Sequence, residues 1–125
     1  MGNTNENLEY AFSGESQASR KYKYFAEHAE KEGLKYIARL FRAASEAETI
    51  HARNHFKVSN GIKTPRENLH GAIAGEAHEY LSMYPNFIKQ ANEEGNEKAR
   101  YSFYMANRVE QIHHDLYKDQ PLFVL

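Results

Sequence analysis

Two short segments far apart in the chain place a glutamate three residues before a histidine: Glu48 with His51, and Glu110 with His113. Residues three apart lie on the same face of an α-helix, so each pair would direct a carboxylate and an imidazole to one point. Both pairs fall on stripes of apolar residues at helical spacing, which predicts that they face the protein core. Two core-facing pairs of metal-ligand side chains indicate one shared metal site.

Three further acids fall on inward-facing stripes: Glu15 near the N-terminus, and Glu76 and Glu79 in the second half of the chain. Five core carboxylates would carry about five negative charges, and each buried ion costs several kcal/mol. Two divalent ions would largely balance this charge, as would two trivalent ions with a bridging oxide or hydroxide. Charge balance therefore favours a dinuclear centre. Its predicted ligands are Glu15, Glu48, His51, Glu76, Glu79, Glu110 and His113.

Any one of these residues taken alone is more often structural than functional, so a metal-free helical bundle is the competing interpretation. The conjunction of two pairs with three further acids argues against it. Tyr22 and Tyr84 leave two interpretations open. An inward-facing tyrosine is usually a core residue whose hydroxyl needs a partner, but either hydroxyl could also bond a ligating carboxylate and donate a proton in catalysis. His55 is expected to pack beside the site, whereas His114 falls off the apolar stripe.

The composition of the 125-residue chain favours a single all-α domain, because glycine and proline are scarce and 26% of the residues are charged. The absence of cysteine excludes disulfides, thiolate chemistry and iron–sulfur clusters, so a metal must be held by oxygen and nitrogen. A formal net charge of -1 gives no footprint for nucleic acid. No apolar run approaches the ~20 residues of a membrane span, and no signal-peptide pattern is present, so we expect no membrane partner and a cytoplasmic location.

The apolar periodicity predicts four helices, at about 4–32, 34–58, 65–94 and 97–118. Thr4 or Asn5 is expected to cap the first helix. The segment Thr64-Pro65-Arg66-Glu67 has the pattern of a capping box with proline at the first helical position. Pro85 cannot donate a backbone hydrogen bond, so the third helix should kink near Met83-Tyr84 and then resume.

Four stretches of the chain carry a family resemblance. They are Ala11–Ala18, Ile37–Ala43 running on to His51–Phe56, Gly75–Glu79 with Met83–Pro85, and Glu110–His113. Here the chain resembles the rubrerythrins, over roughly Glu6 to Tyr117. The resemblance implies a ferritin-like four-helix bundle, in which two helices each give a glutamate and two each give a Glu-x-x-His pair. It also implies that Glu48 and Glu110 bridge two irons.

The same resemblance implies roles for the remaining ligands. Glu76 and His113 would bind one iron, and Glu15 would bind the other together with either Glu79 or His51. Ferric iron should prefer the carboxylate, whereas ferrous iron tolerates a neutral imidazole. The resemblance accordingly implies that His51 is bound in the reduced state and Glu79 in the oxidised state. The same ligands also accept zinc or manganese.

The activity implied by the resemblance is reduction of hydrogen peroxide to water, with protection against oxidative stress. Typical members of the family continue into a cysteine-rich rubredoxin module, whereas this chain stops at Leu125 and resembles the short members without one. Its electrons would then come from an external donor such as a rubredoxin-like protein. Two alternatives remain open: a ferroxidase or oxidase that consumes dioxygen, and a non-enzymatic iron-binding or storage protein.

The connection between the second and third helices bears on assembly. In a ferritin-like bundle these helices run parallel, so the chain must return roughly 33 Å along the bundle and ~8 to 10 Å sideways. The six residues from Ser59 to Thr64 span at most ~20 to 22 Å. Either the helices run antiparallel within one chain, or the first two helices of one chain pack on the last two of another. The resemblance favours the second arrangement, a domain-swapped homodimer.

Overall fold

The computed structural model describes residues 2–120, and every regular element within that range is helical. The elements are α1 (Thr4–Lys31), α2 (Lys35–Val58), α3 (Pro65–His78), a π-helical turn (Glu79–Met83), α4 (Tyr84–Glu93) and α5 (Glu97–Lys118). The all-α fold class expected from the sequence is confirmed for these residues. The tail at 121–125, which the sequence places beyond the last helix, lies outside the described residues.

The chain divides into two compact units, residues 1–62 and 63–125, which are considered separately. The expectation of a single domain stays a prediction. The first unit is a hairpin of α1 and α2, closed at Gly33, whose φ of +80° is a left-handed conformation that glycine adopts without strain. The cap of α1 is Asn3, whose side chain accepts a hydrogen bond from the Glu6 backbone N–H at 2.9 Å. The prediction that Thr4 or Asn5 caps α1 is therefore wrong, because the cap lies one residue before Thr4 and two before Asn5.

Small side chains form the seam of the first hairpin. Ala26 and Ala38 are fully buried between α1 and α2, and the Phe41 ring packs against them. Further along the seam, Ser45 Oγ donates to the Ser19 carbonyl at 2.8 Å, and the Ser19 and Thr49 hydroxyls lie 2.7 Å apart. Because alanine and serine let the two helix backbones approach closely, side chains on the adjoining faces are brought into direct contact.

The second unit packs α3, the π-helical turn and α4 against α5. The predicted capping box is present: Glu67 N–H donates to Thr64 Oγ1, and Thr64 N–H donates to Glu67 Oε2, both at 3.2 Å. Pro85 has no N–H to donate, and the helix accommodates it through the π turn, in which Tyr84 N–H bonds the Glu79 carbonyl five residues earlier. The irregularity expected beside Pro85 is therefore a π turn.

Large apolar side chains remain exposed on both units. The buried apolar residues within 2–120 are all alanines, whereas Phe25, Leu40, Phe87 and Ile112 each expose more than two fifths of their surface. Neither hairpin therefore covers its own larger apolar side chains. No helix within 2–120 has the combination of length and apolar content needed to cross a bilayer.

Candidate metal centre

The first unit brings together three of the residues predicted to bind metal. Glu15 comes from α1, and Glu48 and His51 come from consecutive turns of α2, so the hairpin seam places all three side chains side by side. His51 Nδ1 lies 3.4 Å from Glu15 Oε2 and 3.7 Å from Glu48 Oε1. Both carboxylates are about three quarters buried, whereas the imidazole is half exposed. We call this group the first triad.

The two carboxyl groups of the first triad are coupled. A hydrogen bond with Glu15, followed by burial, raises the pKa of the Glu48 carboxyl above its ordinary value. The same hydrogen bond lowers the pKa of Glu15, and the positive charge available on His51 and His55 acts in the same direction. Opposite pKa shifts are expected when two acids lie close enough for their titrations to be coupled. His55 lies one turn beyond His51 on α2.

The second unit repeats the arrangement with its own residues. Glu76 from α3 and the pair Glu110 and His113 from α5 form the second triad. His113 Nδ1 lies 3.9 Å from Glu76 Oε1 and 3.9 Å from Glu110 Oε1. These carboxylates are at least four fifths buried. The two triads thus use the same three ligand types, each set within one unit.

The geometry of each triad fits a metal ion. One potential ligand atom from each residue lies within 4.8 Å of the other two in the same triad. Glu15 Oε2 and Glu76 Oε2 are buried without a hydrogen-bond partner, which is costly for a carboxylate oxygen unless something else binds it. A cation at the centre of each triad would satisfy both oxygens. Hard oxygen donors with one imidazole suit divalent and trivalent iron, and also zinc and manganese.

Glu79 is not part of either triad. It is partly buried at the start of the π-helical turn, one turn after Glu76. π turns inside α-helices are frequent at functional sites. The sequence identified Glu79 as a candidate ligand but gave no indication of the π turn.

The two candidate tyrosines lie in aromatic clusters, one in each unit. The Tyr22 ring centroid is 6.0 Å from that of Phe41, and the Tyr84 centroid is 6.1 Å from that of Phe103. Both side chains are partly buried. Each tyrosine is thus a partly buried member of an aromatic cluster, and its role as a proton donor remains a prediction.

Two polar residues of the second unit were not recognised from the sequence. His114, which was expected to lie off the apolar face, is buried, with its ring centroid 5.1 Å from that of Tyr80. Asn107 has a buried side-chain oxygen without a hydrogen-bond partner. The expectation for His114 is wrong because α5 packs against both α3 and α4, so its buried arc is wider than a single stripe. Asn107 lies on α5 three residues before Glu110, so the two share a helix face. This spacing is the one sequence signal that could have identified Asn107.

Helical hairpins that each hold two carboxylates and an imidazole define a class of all-α proteins with carboxylate-rich metal sites. This chain belongs to the rubrerythrin family, because the rubrerythrin family model matches residues 6–120. Family membership confirms the expected ferritin-like fold class. The roles of the individual ligands, and the joining of two hairpins into one bundle, remain predictions.

Several characterised relatives are similar over most of the chain. Rubrerythrin-2 of Clostridium acetobutylicum is 36% identical over 126 residues, which cover 90% of this chain and 68% of that protein. Nigerythrin of Nitratidesulfovibrio vulgaris is 37% identical over 131 residues, which cover 94% of this chain and 65% of that protein. The structure of fully reduced, all-ferrous nigerythrin covers 94% of this chain and 65% of that one, with a TM-score of 0.48. The chain spans about two thirds of the length of these relatives.

Proposed function

We propose that this protein is a non-haem di-iron peroxidase that reduces hydrogen peroxide to water with electrons from an external donor. The observation that carries the proposal is the pair of triads, each with a buried carboxylate oxygen that lacks a partner. Membership of the rubrerythrin family supports iron as the metal. The activity would make the protein part of the defence against oxidative stress.

Each ligand would have a distinct role at the di-iron centre. Glu48 and Glu110 would bridge the two ions, holding them close enough to bind both oxygens of peroxide. Glu76 and His113 would complete one coordination sphere, and Glu15 would contribute to the other. When bound, the two ions would supply the two electrons that peroxide reduction requires. Carboxylate and imidazole donors suit this chemistry because they bind both ferrous and ferric iron.

The exchange of one ligand with oxidation state is part of the proposal. Glu79 and His51 would compete for the remaining position beside Glu15, with the imidazole favoured in the reduced state and the carboxylate in the oxidised state. The half-exposed His51 side chain supports this, since it has room to turn away.

Peroxide reduction also consumes two protons for each pair of electrons. Tyr22 and Tyr84 are the proposed donors among the aromatic side chains, and a protonated ligand carboxyl is the alternative. The raised pKa of Glu48 supports this alternative, since the hydrogen bond with Glu15 and burial both favour the protonated form of that carboxyl. A donor must lie within hydrogen-bond reach of the bound substrate, directly or through one water.

We propose further that the working unit is a domain-swapped homodimer. The six residues between α2 and α3 are too few to span the length of a bundle, since fully extended they reach at most ~20 to 22 Å. The exposed apolar side chains of both hairpins support a partner that covers them. Each site would take the first triad from one chain and, from the other, Glu79 with the second triad.

The proposed activity is tested by rapid mixing of the diferrous protein with hydrogen peroxide or with dioxygen. We expect oxidation by peroxide to be the faster reaction by a wide margin. Oxidation that is no faster with peroxide would refute the peroxidase and favour a dioxygen-consuming ferroxidase or oxidase. Size-exclusion chromatography addresses the storage alternative, because storage needs a shell of many subunits, whereas a peroxidase needs only a small oligomer.

A further inference from the structure

A groove lies along the first hairpin, formed entirely by residues of α1 and α2, with a volume of about 500 Å³. It is lined by Ser16, Ser19, Arg20, Lys23, Arg42, Ser45, Glu46, Thr49 and Ala52. Its floor is the seam of small residues in which Ser45 bonds the Ser19 carbonyl and Thr49 meets the Ser19 hydroxyl. These contacts fix the floor, while longer charged side chains stand at the rim.

The groove lies directly behind the first triad. Three of its lining residues, Ser16, Thr49 and Ala52, each immediately follow a triad ligand in the sequence, namely Glu15, Glu48 and His51. Consecutive residues project about 100° apart around a helix, so groove and triad occupy neighbouring faces of the same helical turns. The two are therefore separated by no more than about one helix diameter, ~10–12 Å.

The rim of the groove is predominantly basic. Arg20, Lys23 and Arg42 contribute three positive charges against the single negative charge of Glu46. Arg42 is paired with Glu30, which offsets part of its charge. Within residues 2–120, Arg20 and Lys23 form no ion pair, and both are exposed. This concentration of positive charge contrasts with a whole chain whose formal net charge is -1.

We propose that this groove is the docking face for the external electron donor, a small protein with an acidic surface around a one-electron redox centre. The inference rests on the proposed function, which requires such a donor. Each reduced donor would give up one electron and leave oxidised. Two successive encounters would therefore restore the two electrons that one peroxide molecule consumes.

Charge complementarity selects an acidic protein as the occupant. Opposite charges at the rim would steer the donor into the groove, and steering acts mainly on the association rate. Complexes that transfer electrons are small and transient, so a shallow groove with a charged rim suits this occupant. Proximity to the triad gives a short path for the electron, across about one helix diameter.

The test compares two double variants with the same change in charge. The rim variant, Arg20→Glu with Lys23→Glu, reverses two positive charges at the rim of the groove. The control variant, Lys98→Glu with Lys118→Glu, reverses the charge of two exposed lysines of the second unit. The probe is reduced rubredoxin, and the measured quantity is the KM for rubredoxin during peroxide turnover. We expect the rim variant to raise this KM roughly tenfold or more, within the range over which electrostatic steering alters association. The control variant should change it far less, and Arg20→Gln with Lys23→Gln should fall between wild type and the rim variant.

Two further measurements separate docking from chemistry. A small uncharged redox mediator should reduce the wild type and both variants at the same rate, because it does not need the groove. Binding of oxidised rubredoxin to the metal-free protein, followed by NMR line broadening, should weaken in the rim variant only, and circular dichroism and metal content check that each variant is folded.

Equal KM values for rubredoxin in the rim and control variants would overturn the docking face. So would wild-type protein that the mediator reduces but rubredoxin does not. A wild-type centre that neither reductant can reduce would instead refute the proposed redox function, and the docking inference would fall with it.

Discussion

The two hairpins present the same ligand types in the same chain order, yet they hold them differently. In the first triad the imidazole nitrogen lies 3.4 and 3.7 Å from the two carboxylates, whereas both distances are 3.9 Å in the second. In the first triad the pKa of the Glu48 carboxyl is raised and that of Glu15 is lowered, and both residues lie on regular helices. The second triad is more buried, and the helix that carries its Glu76 continues into a π turn that bears a further acid, Glu79.

The difference shows that equal ligand sets can reach charge balance by different routes. In the first hairpin, the raised pKa of Glu48 and the imidazole of His51 beside both acids favour a smaller net negative charge. The second hairpin has one more acid in its ligand-bearing segment and gains more from a bound cation. We therefore expect loss of metal to destabilise the first hairpin less than the second.

The largest expected effect is loss of metal from both triads when either bridge is removed. Glu48→Ala and Glu110→Ala should each reduce binding from about two metal ions per chain to nearly none, because each residue would bridge both ions. Elemental analysis of protein purified without chelator measures this. Glu27→Ala and Glu93→Ala, which remove exposed acids from α1 and α4, serve as controls and should keep both ions. One ion retained per chain would mean that each hairpin binds metal independently.

The next effect tests whether the two triads meet across a dimer. Glu48→Ala and Glu110→Ala chains should each be inactive alone. After joint refolding, a swapped heterodimer would contain one site with every ligand intact and one site lacking both bridges. Its peroxidase activity should be roughly half that of the wild-type dimer, as expected for independent sites. No recovery in purified heterodimers would favour a bundle formed within one chain.

A smaller effect is expected at the acid that distinguishes the second hairpin. Glu79→Ala should lower peroxide turnover roughly tenfold to a hundredfold, the range found when support for a metal site is lost. Both ions should remain bound, because the triads themselves are intact. Steady-state kinetics with parallel metal analysis measures this. Normal turnover would exclude exchange between Glu79 and His51 from the mechanism.

The opposite pKa shifts of Glu48 and Glu15 predict a pH dependence at the first triad. Because its pKa is raised, Glu48 contributes stability that is present below the ordinary value of 4.5 and is lost as pH rises through the raised pKa. Glu15, whose pKa is lowered, contributes the opposite: its stability is present above the ordinary value and is lost as pH falls through the lowered pKa.

Infrared spectroscopy of the metal-free protein measures protonation of the Glu48 carboxyl directly. The carbonyl band of a protonated carboxyl should persist to a pH above the ordinary glutamate range. Glu48→Gln should abolish that persistence, and the matched Glu110→Gln should preserve it. The reverse pattern would show that the coupled acids lie in the second triad.

The smallest effect concerns the seam of the first hairpin. Ser45→Ala removes the hydrogen bond to the Ser19 carbonyl and should lower the free energy of unfolding by about 1 kcal/mol. Denaturant unfolding of the metal-free protein measures this change. Ser102→Ala, at an exposed position on α5, should stay within about 0.5 kcal/mol of wild type. A larger loss at Ser102 would contradict the assignment of the hydroxyl seam to the first hairpin alone.

Helical periodicity was sufficient to predict the two Glu-x-x-His pairs, because their geometry is local. Glu48 and His51 share a helix face by spacing alone, as do Glu110 and His113, so a short loop that folds each helix back brings the remaining acid alongside. The capping box at Thr64 was also predictable, since both of its hydrogen bonds join residues three apart.

Three features could not be predicted from the sequence, namely the cap of α1, the π turn and the burial of His114. In each case the sequence allows several arrangements of similar stability. Asn3, Thr4 and Asn5 are all good helix caps, and their order in the chain does not decide between them. Pro85 shows that the hydrogen-bond ladder must break, but not whether a kink or a π turn results. His114 is buried because two helices cover α5, which depends on packing and not on spacing.

The π turn makes the number of residues in this segment as important as their identity. Tyr84 N–H reaches back five residues to the Glu79 carbonyl, where a regular α-helix would reach back four, so the segment contains one residue in excess of the α-helical count. Deleting one residue between Glu79 and Tyr84 would let the helix close in regular register. It would also turn α3 by about 100° relative to α4, the share of one residue in a helical turn. Glu76 would then point away from His113, so a deletion that removes no ligand would disable the second triad as effectively as replacing one.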